Sequence, residues 1–120
     1  MHTALQPERR SFVRVPFDAA VRAEPIPRSS TYRVLHMLSE DLSEGGAPLS
    51  SAEYLPVDSR ILLDLEMPRP DDPIRTTGRV VWVEEAPYAE QWRVGVAFDE
   101  LSKSTRTRLR RVVVRRQAQR

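Results

Sequence analysis

The chain has no cysteine and no apolar stretch long enough to cross a membrane. The absence of cysteine excludes disulfides, thiolate metal sites and cysteine nucleophiles, and it agrees with a reducing compartment. No segment approaches the roughly 20 apolar residues of a spanning helix, and the first ten residues lack the apolar core of a secretory signal. We therefore expect a cytoplasmic protein without membrane insertion.

Acidic residues are missing from the C-terminal end of the chain. Residues 103–120 hold Lys103 and seven arginines but no Asp or Glu. The net charge of +2 therefore conceals a balance of −6 over the first 102 residues, which carry 11 basic and 17 acidic side chains. Lys103 is the single lysine, and the planar fork of the arginines suits phosphate and guanine. The cationic character is thus concentrated in the C-terminal segment.

The residues that are present fit one globular domain. The chain has 120 residues, of which 40% are hydrophobic and 30% charged, enough for a single core. Apolar and polar residues alternate from Val13 to Val21, the period of a half-buried strand, and Pro16 suits an edge or a bulge in it. Further strand patterns occupy residues 32–38, 60–67, 79–83 and 92–98. Short strands joined by turn-forming residues indicate a small antiparallel barrel or sandwich.

Only the C-terminal segment has a helical pattern. Ser102 or Ser104 can cap the N-terminus of this helix. Its residues at helical spacing on one side are Thr105, Leu109, Val112 and Val113. This stripe is narrow, so we expect the helix to cover one mouth of the barrel. The arginines expected to face solvent, and to suit an acidic partner protein, are Arg108, Arg111 and Arg115.

Two polar stretches carry residue types that bind ligands. Arg9, Arg10 and Arg14 are gathered before the first strand, and an extended chain would hold Arg10 and Arg14 roughly 13 Å apart, so they converge only if the chain bends. The stretch from Asp41 to Gly46, DLSEGG, combines a carboxylate, a hydroxyl and two glycines that permit a sharp turn with positive φ. Guanidinium and carboxylate groups recognise phosphate and the edges of guanine. The two stretches together suggest a ligand.

These two stretches resemble the motifs of the PilZ domain family. Residues 10–14 read RSFVR and match RxxxR, and residues 41–46 match [D/N]xSxxG. The resemblance extends over residues 7–114, because the strand patterns in the second half of the chain are also similar to that family. It implies a mainly β fold, a six-stranded antiparallel Greek-key barrel of the split-barrel type with a C-terminal α-helix. It further implies a receptor for the bacterial second messenger cyclic di-GMP (c-di-GMP) that relays its level to a partner protein.

The same resemblance assigns roles to particular residues. The ligand-binding residues that it implies are Arg9, Arg10, Arg14, Asp41, Ser43 and Gly46. Arg10 and Arg14 would grip phosphates and guanine edges from a flexible loop. Asp41 and Ser43 would hydrogen-bond a guanine, and Gly46 would supply the turn and clearance for the base. No catalytic residue, metal or other cofactor is implied.

The residue before RxxxR suggests how many nucleotides bind. In proteins that resemble this one, an arginine at the position of Arg9 goes with an intercalated c-di-GMP dimer. We expect residues 1–6 to be a flexible N-terminus, residues 7–114 to be the domain with its helix from about 102, and residues 115–120 to be a basic tail. The arm from Gln6 to Val13 is expected to become ordered when nucleotide binds.

Other interpretations of the sequence stay open. The chain could be a small barrel that binds nucleic acid, although the net acidic barrel segment argues against a long basic groove, or an interaction module that binds no nucleotide. DLSEGG could be only a hairpin turn held by side-chain-to-backbone bonds from Asp41 or Ser43. An enzyme is disfavoured, because Ser43 has no strand-turn-helix elbow around it. Trp82 and Trp92 fall on strand patterns and are interpreted as core residues.

Overall fold

The structure, a computed structural model, describes residues 13–26, 34–68, 71–86, 90–99 and 101–118. The described residues form six β-strands and one α-helix. The strands are β1 (Val15–Ile26), β2 (Leu35–Leu42), β3 (Gly46–Ser51), β4 (Arg60–Leu65), β5 (Ile74–Glu85) and β6 (Trp92–Phe98). The helix α1 is Lys103–Ala118. Among the described helical residues there is no segment with the length and apolar character that a membrane crossing needs.

The strands close into a barrel with the order β1-β2-β3-β6-β5-β4. Each neighbouring pair is antiparallel, and β4 pairs back onto β1 to complete the ring. Because β3 pairs with β6 rather than with β4, the chain crosses between non-neighbouring strands, as a Greek key requires. The predicted six-stranded antiparallel barrel with a C-terminal helix is confirmed.

One strand of this barrel was not predicted. The sequence of β3, GAPLSS, is short and contains Pro48, which lacks the N–H that a strand residue donates. The strand forms because all six of its residues pair with β6, from Gly46↔Ala97 to Ser51↔Trp92. Its ladder to β2 is limited to Leu38↔Ser50 and Ser39↔Leu49. The tertiary partner β6 therefore decides the conformation of β3.

The core follows the alternation seen in the sequence. In β1 the side chains of Val15, Phe17, Val21 and Ala23 are buried, as predicted from the period of two. Val13 was placed on the same inward phase but is 48% exposed, because β1 begins two residues later. The largest fully buried core side chains from the other strands are Leu42, Leu49, Ile61, Leu63, Leu65, Ile74, Val80 and Val94.

A β-bulge bends β1 near its start. The register between β1 and β2 shifts between Pro16 and Ala19, so the prediction of a bulge at Pro16 is confirmed. The buried hydroxyl of Ser39 donates to the carbonyl oxygens of Phe17 and Asp41, at 3.0 and 3.1 Å. These bonds give hydrogen-bond donors to carbonyl groups beside the point where the β1–β2 ladder is interrupted.

The helix α1 packs on the barrel through its narrow apolar stripe. Leu109 belongs to the barrel's hydrophobic cluster, Val113 is buried, and Val112 packs against the cluster, as predicted. Ser102 is the N-cap, because its Oγ accepts from the N–H of Thr105 at 3.2 Å. The helix continues to Ala118, so residues 115–118, assigned to a tail from the sequence, belong to it.

One residue of α1 differs from its expected position. Arg108 was predicted to face solvent, but it is half-buried and its guanidinium donates to the carbonyl oxygens of Asp72 and Pro73. The loop before β5 thus supplies acceptors that the helical pattern alone does not reveal. Nearby, Arg116 lies over the ring of Phe17, with its Cζ 4.8 Å from the ring centroid.

Candidate ligand-binding site

The two sequence motifs meet where β1 begins and β2 ends. Val15 pairs with Leu42 at the end of the antiparallel β1–β2 ladder. Arg14 precedes Val15 and Ser43 follows Leu42, so both lie just beyond this same end of the ladder. Both line one groove of about 240 Å³ on the barrel surface. Closed small-molecule pockets usually enclose about 300–1,000 Å³, so this groove covers part of a ligand rather than surrounding it. The pairing of β1 with β2 thus brings together residues that are 29 positions apart in the sequence.

Ser43 holds the turn between β2 and β3. Its Oγ accepts from the N–H groups of Gly45 and Gly46, at 3.1 and 3.3 Å, and donates to the carbonyl oxygen of Gly46 at 3.2 Å. The N–H of Ser43 donates to the same carbonyl at 3.1 Å. The side-chain-to-backbone bonds of a hairpin turn, one of the interpretations of DLSEGG, are therefore present. They order the loop that lines one side of the groove.

Gly46 is required for close packing and not for an unusual backbone angle. The prediction of positive φ in this loop is wrong, because no described glycine has a positive φ. A Cβ at Gly46 would lie 2.0 Å from the carbonyl oxygen of Val96, far inside van der Waals contact. The absence of a side chain lets β3 approach β6 at the base of the groove.

Trp82 forms the opposite wall of the groove, which the sequence did not indicate. The register of β5 against β6 shifts between Val80 and Trp82, and Trp82 pairs with Gly95. A Cβ at Gly95 would lie 2.1 Å from the indole, so the ring rests against the bare backbone of β6. Trp82 is half-buried, in contrast to its interpretation as a core residue. The signal that could have revealed it is a tryptophan on one strand facing a glycine on the next.

Charged groups surround the indole on its outer side. Arg93 places its Cζ 5.7 Å from the centroid of the Trp82 ring. The same guanidinium pairs with Glu84 at 2.6 Å and with Glu40 at 3.7 Å. These two carboxylates hold the arginine beside the ring and compensate its charge, so this cluster positions the indole and adds no net positive charge to the groove.

The remaining predicted residues divide between the neighbourhood of the groove and the undescribed part of the chain. Asp41 is on β2, where it pairs with Pro16, and it is half-exposed beside the groove rather than in its lining. Among the described residues neither Arg14 nor Asp41 has a side-chain hydrogen-bond or ion-pair partner, so both can bind a ligand. Arg9 and Arg10 lie outside the described residues, as do residues 1–6.

An ion pair connects the groove's loop to the C-terminal helix. Glu44 lies between Ser43 and Gly45, and its Oε1 is 3.2 Å from Nη2 of Arg110. A second contact, from Nε of Arg110 to Oε2, is 3.4 Å long. The side chain of Glu44 is only 20% exposed, so its carboxylate is held against the barrel. Glu44 is part of the predicted ligand motif, residues 41–46, so this ion pair joins the helix to the motif.

The combined geometry suits a flat, anionic ligand. An indole and an open glycine-lined backbone offer surfaces for a planar ring, and the guanidinium of Arg14, which has no partner among the described residues, suits a negative group. A family model, PilZ domain, matches residues 8–115. The chain belongs to the PilZ domain family. The groove of this PilZ domain is lined by Arg14, the last residue of RxxxR, and by Ser43, Gly45 and Gly46 of DxSxxG.

Solved structures share the fold of this PilZ domain. The inhibitor of motility MotI/DgrA from Bacillus subtilis superposes with a TM-score of 0.77 at 20% identity, covering 92% of this chain and 52% of that one. The PilZ domain of YcgR from Escherichia coli, solved with c-di-GMP, superposes with a TM-score of 0.73 at 15% identity, and the match covers 92% of this chain and 93% of that one. The PilZ domain of CeSA from a cellulose-synthesising bacterium superposes with a TM-score of 0.62 at 16% identity, and the match covers 85% of this chain and 95% of that one.

The extent of these similarities bounds what they show. The chain spans about half the length of the Bacillus protein and nearly the full length of the two isolated PilZ domains. At these identities the superpositions establish a shared barrel fold. No curated protein sequence matches the chain significantly. The chemistry of the groove itself must therefore carry any functional argument.

Proposed function

We propose that this PilZ domain is a c-di-GMP receptor that relays the nucleotide level to a partner protein. The observation that carries the proposal is the groove that Arg14, Ser43 and Gly46 of the two motifs line together with Trp82. The similar YcgR domain was solved with c-di-GMP, which supports the choice of ligand. In this proposal the groove binds its ligand without turnover, since no nucleophile with an adjacent base is found among the described residues that line it.

Each side chain has a role that follows from its chemistry. Arg14 donates to a phosphate or to the Hoogsteen edge of guanine, and Asp41 accepts from the N–H groups of that base. Trp82 stacks on a guanine ring. Ser43 acts mainly through the turn that it holds, since its donor and both acceptor sites are used there. Gly46 keeps the base of the groove narrow.

The arginines before β1 complete the site in this proposal. Arg10 provides the second guanidinium of RxxxR, and Arg9 adds a third positive group for an intercalated c-di-GMP dimer. Two nucleotides carry four phosphates, which is a physical reason to concentrate guanidinium groups. Binding then draws the arm from Gln6 to Val13 against the barrel and creates a surface for a cytoplasmic partner.

Calorimetry with three ligands tests the proposal. We expect c-di-GMP to bind with a stoichiometry of two, GMP to bind weakly, and short single-stranded DNA not to bind. An Arg9→Leu variant should lower the stoichiometry towards one while it keeps measurable affinity. Tighter binding of DNA than of c-di-GMP would favour a nucleic-acid-binding barrel, and no binding of any of the three would favour an interaction module with an empty groove. A wild-type stoichiometry of one would contradict the binding of an intercalated c-di-GMP dimer but not the binding of c-di-GMP itself.

A further inference from the structure

The helix α1 carries more positive charge than the described part of the barrel neutralises. Its charged residues are all basic, namely Lys103, Arg106, Arg108, Arg110, Arg111, Arg115 and Arg116. The four that contact the barrel are Arg108, Arg110, Arg115 and Arg116. Lys103, Arg106 and Arg111 are exposed, and none has an ion-pair partner in the described part of the chain. Within the described residues, the outward side of α1 is therefore a surface of uncompensated positive charge.

An apolar residue lies at the centre of this outward side. Val114 is 55% exposed, whereas Leu109 and Val113 of the same helix are buried. It lines a shallow depression together with Thr107, Arg110, Arg111 and Arg115. These positions are separated from Val114 by seven, four, three and one residues, a spacing that places most of them on one helical face. We call these five residues the helix docking surface.

We propose that the helix docking surface binds an acidic segment of a partner protein. Carboxylates of the partner would pair first with Arg111, and then with the outer edges of Arg110 and Arg115, whose side chains stay 61% and 59% exposed in their own ion pairs. One apolar side chain of the partner would cover Val114. The same helix already shows this preference, because Arg110 pairs with Glu44 and Arg115 with Asp71 of its own barrel. Planar guanidinium groups bind carboxylates through two parallel hydrogen bonds, which gives the pairing direction as well as charge.

The composition of the surface argues against other occupants. Membrane-surface helices present a broad apolar face with bulky side chains, whereas here one valine is surrounded by arginines. A nucleic acid would neutralise the arginines but would leave Val114 against a charged backbone. A second copy of α1 would bring basic side chains against basic side chains, since this helix has no acidic residue. An acidic peptide with an apolar anchor satisfies both the charge and the valine.

The experiment uses the whole chain and two synthetic peptides. One peptide, EEELEEE, has a leucine between glutamates, and the other, EEESEEE, replaces the leucine with serine. Affinities are measured by fluorescence anisotropy at low and at physiological salt, without c-di-GMP. Because no nucleotide is present, the result is independent of the proposed c-di-GMP function. Anionic vesicles of phosphatidylglycerol and a short DNA duplex are titrated in parallel.

Three variants locate the binding surface. We expect Arg111→Gln to lower the affinity for the leucine peptide EEELEEE about two- to fivefold, because one exposed ion pair is lost. Val114→Ser should lower the affinity for EEELEEE by a similar factor and leave the affinity for EEESEEE unchanged. Arg22→Gln is the matched control, because Arg22 is an exposed arginine on the outer face of β1 and its loss changes the net charge equally. Its affinity for both peptides should equal that of the wild type.

Several outcomes would overturn the proposal. Equal weakening by Arg111→Gln and Arg22→Gln would mean that the peptide responds only to net charge. Equal affinity of the two peptides for the wild type would remove the role of Val114. Tighter binding of the vesicles or of the DNA duplex than of EEELEEE would assign the surface to lipid or nucleic acid instead.

Discussion

Arg110 of the C-terminal helix and Glu44 of the DxSxxG loop form an ion pair with a 3.2 Å contact between Nη2 and Oε1. The two residues are 66 positions apart in the chain. Glu44 lies beside the groove proposed for an anionic nucleotide, where an unpaired carboxylate would repel phosphate. Arg110 neutralises that carboxylate and holds the loop to the helix. The pair therefore links the proposed nucleotide site to the helix docking surface, to which Arg110 also belongs.

Removal of Arg110 should weaken c-di-GMP binding. In Arg110→Gln the charge of Glu44 is uncompensated near the phosphates, and we expect the Kd from calorimetry to rise about two- to fivefold. Arg111→Gln is the matched control, because Arg111 has the same charge but no described partner. In a Glu44→Gln background, Arg110→Gln should have little further effect. Equal affinities of the Arg110 and Arg111 variants would contradict this electrostatic role.

Loss of the indole at position 82 should weaken nucleotide binding more strongly. Stacking of a base on an aromatic side chain contributes about 1–3 kcal/mol, so Trp82→Leu should raise the Kd by roughly five- to 150-fold. Trp92→Leu is the control, because Trp92 packs edge-on against Tyr54, with their ring centroids 5.1 Å apart, outside the groove lining. Wild-type affinity in Trp82→Leu would show that the ring does not touch the ligand.

The guanidinium of Arg14 should contribute directly to binding. Hydrogen bonds to charged groups contribute about 1.5–3 kcal/mol, so Arg14→Ala should raise the Kd for c-di-GMP by more than tenfold. The corresponding change at the exposed Arg22 on β1 should leave the Kd unchanged. If Arg14→Ala and Arg22→Ala bind equally well, the assignment of the groove as the nucleotide site fails.

A methyl group at Gly46 should destabilise the barrel itself. The Cβ of Gly46→Ala would meet the carbonyl oxygen of Val96 at 2.0 Å, and backbone must move to relieve the contact. Overpacking of this kind costs about 1–3 kcal/mol of unfolding free energy, measured by denaturant titration. Ser50→Ala, at a half-exposed site in the same strand, should change the stability by less than about 0.5 kcal/mol. Equal stabilities would mean that β3 can move away from β6 without cost.

Acid should remove a small stabilising contribution from the outer face of the barrel. A hydrogen bond from Arg75, with help from the charges of Arg75 and Arg22, lowers the pKa of Asp64 below its ordinary value. A lowered folded-state pKa stabilises the protein above the unfolded-state pKa of about 3.9, and this stabilisation disappears as the pH falls through the folded-state pKa. The wild type should therefore exceed Asp64→Asn in stability at pH 7, by less than about 1 kcal/mol. Chemical unfolding at pH 7 and pH 2 measures the difference, which should shrink in acid.

The alternation of apolar residues in β1 and the spacing of Leu109 and Val113 in α1 could be predicted from the sequence. These features are local, because burial on one face of a strand or helix imposes a fixed period on neighbouring residues. The motifs around Arg14 and Ser43 were also visible in the sequence, and the structure places residues of both along one groove, whose role as a ligand site stays a prediction. The roles of Arg9 and Arg10 stay predictions, since these residues lie outside the described part of the chain.

Other features depended on contacts between distant parts of the chain. The strand β3 exists because β6 pairs with its whole length, and its own sequence contains a proline that does not favour a strand. Trp82 reaches the groove because a register shift in β5 sets the indole against Gly95. The sequence by itself determined the apolar period of β1 and α1 and which motifs are present, since both depend on near neighbours. The tertiary structure alone decided which strand pairs with which, and hence what lines the groove, because that choice depends on packing between residues far apart in sequence.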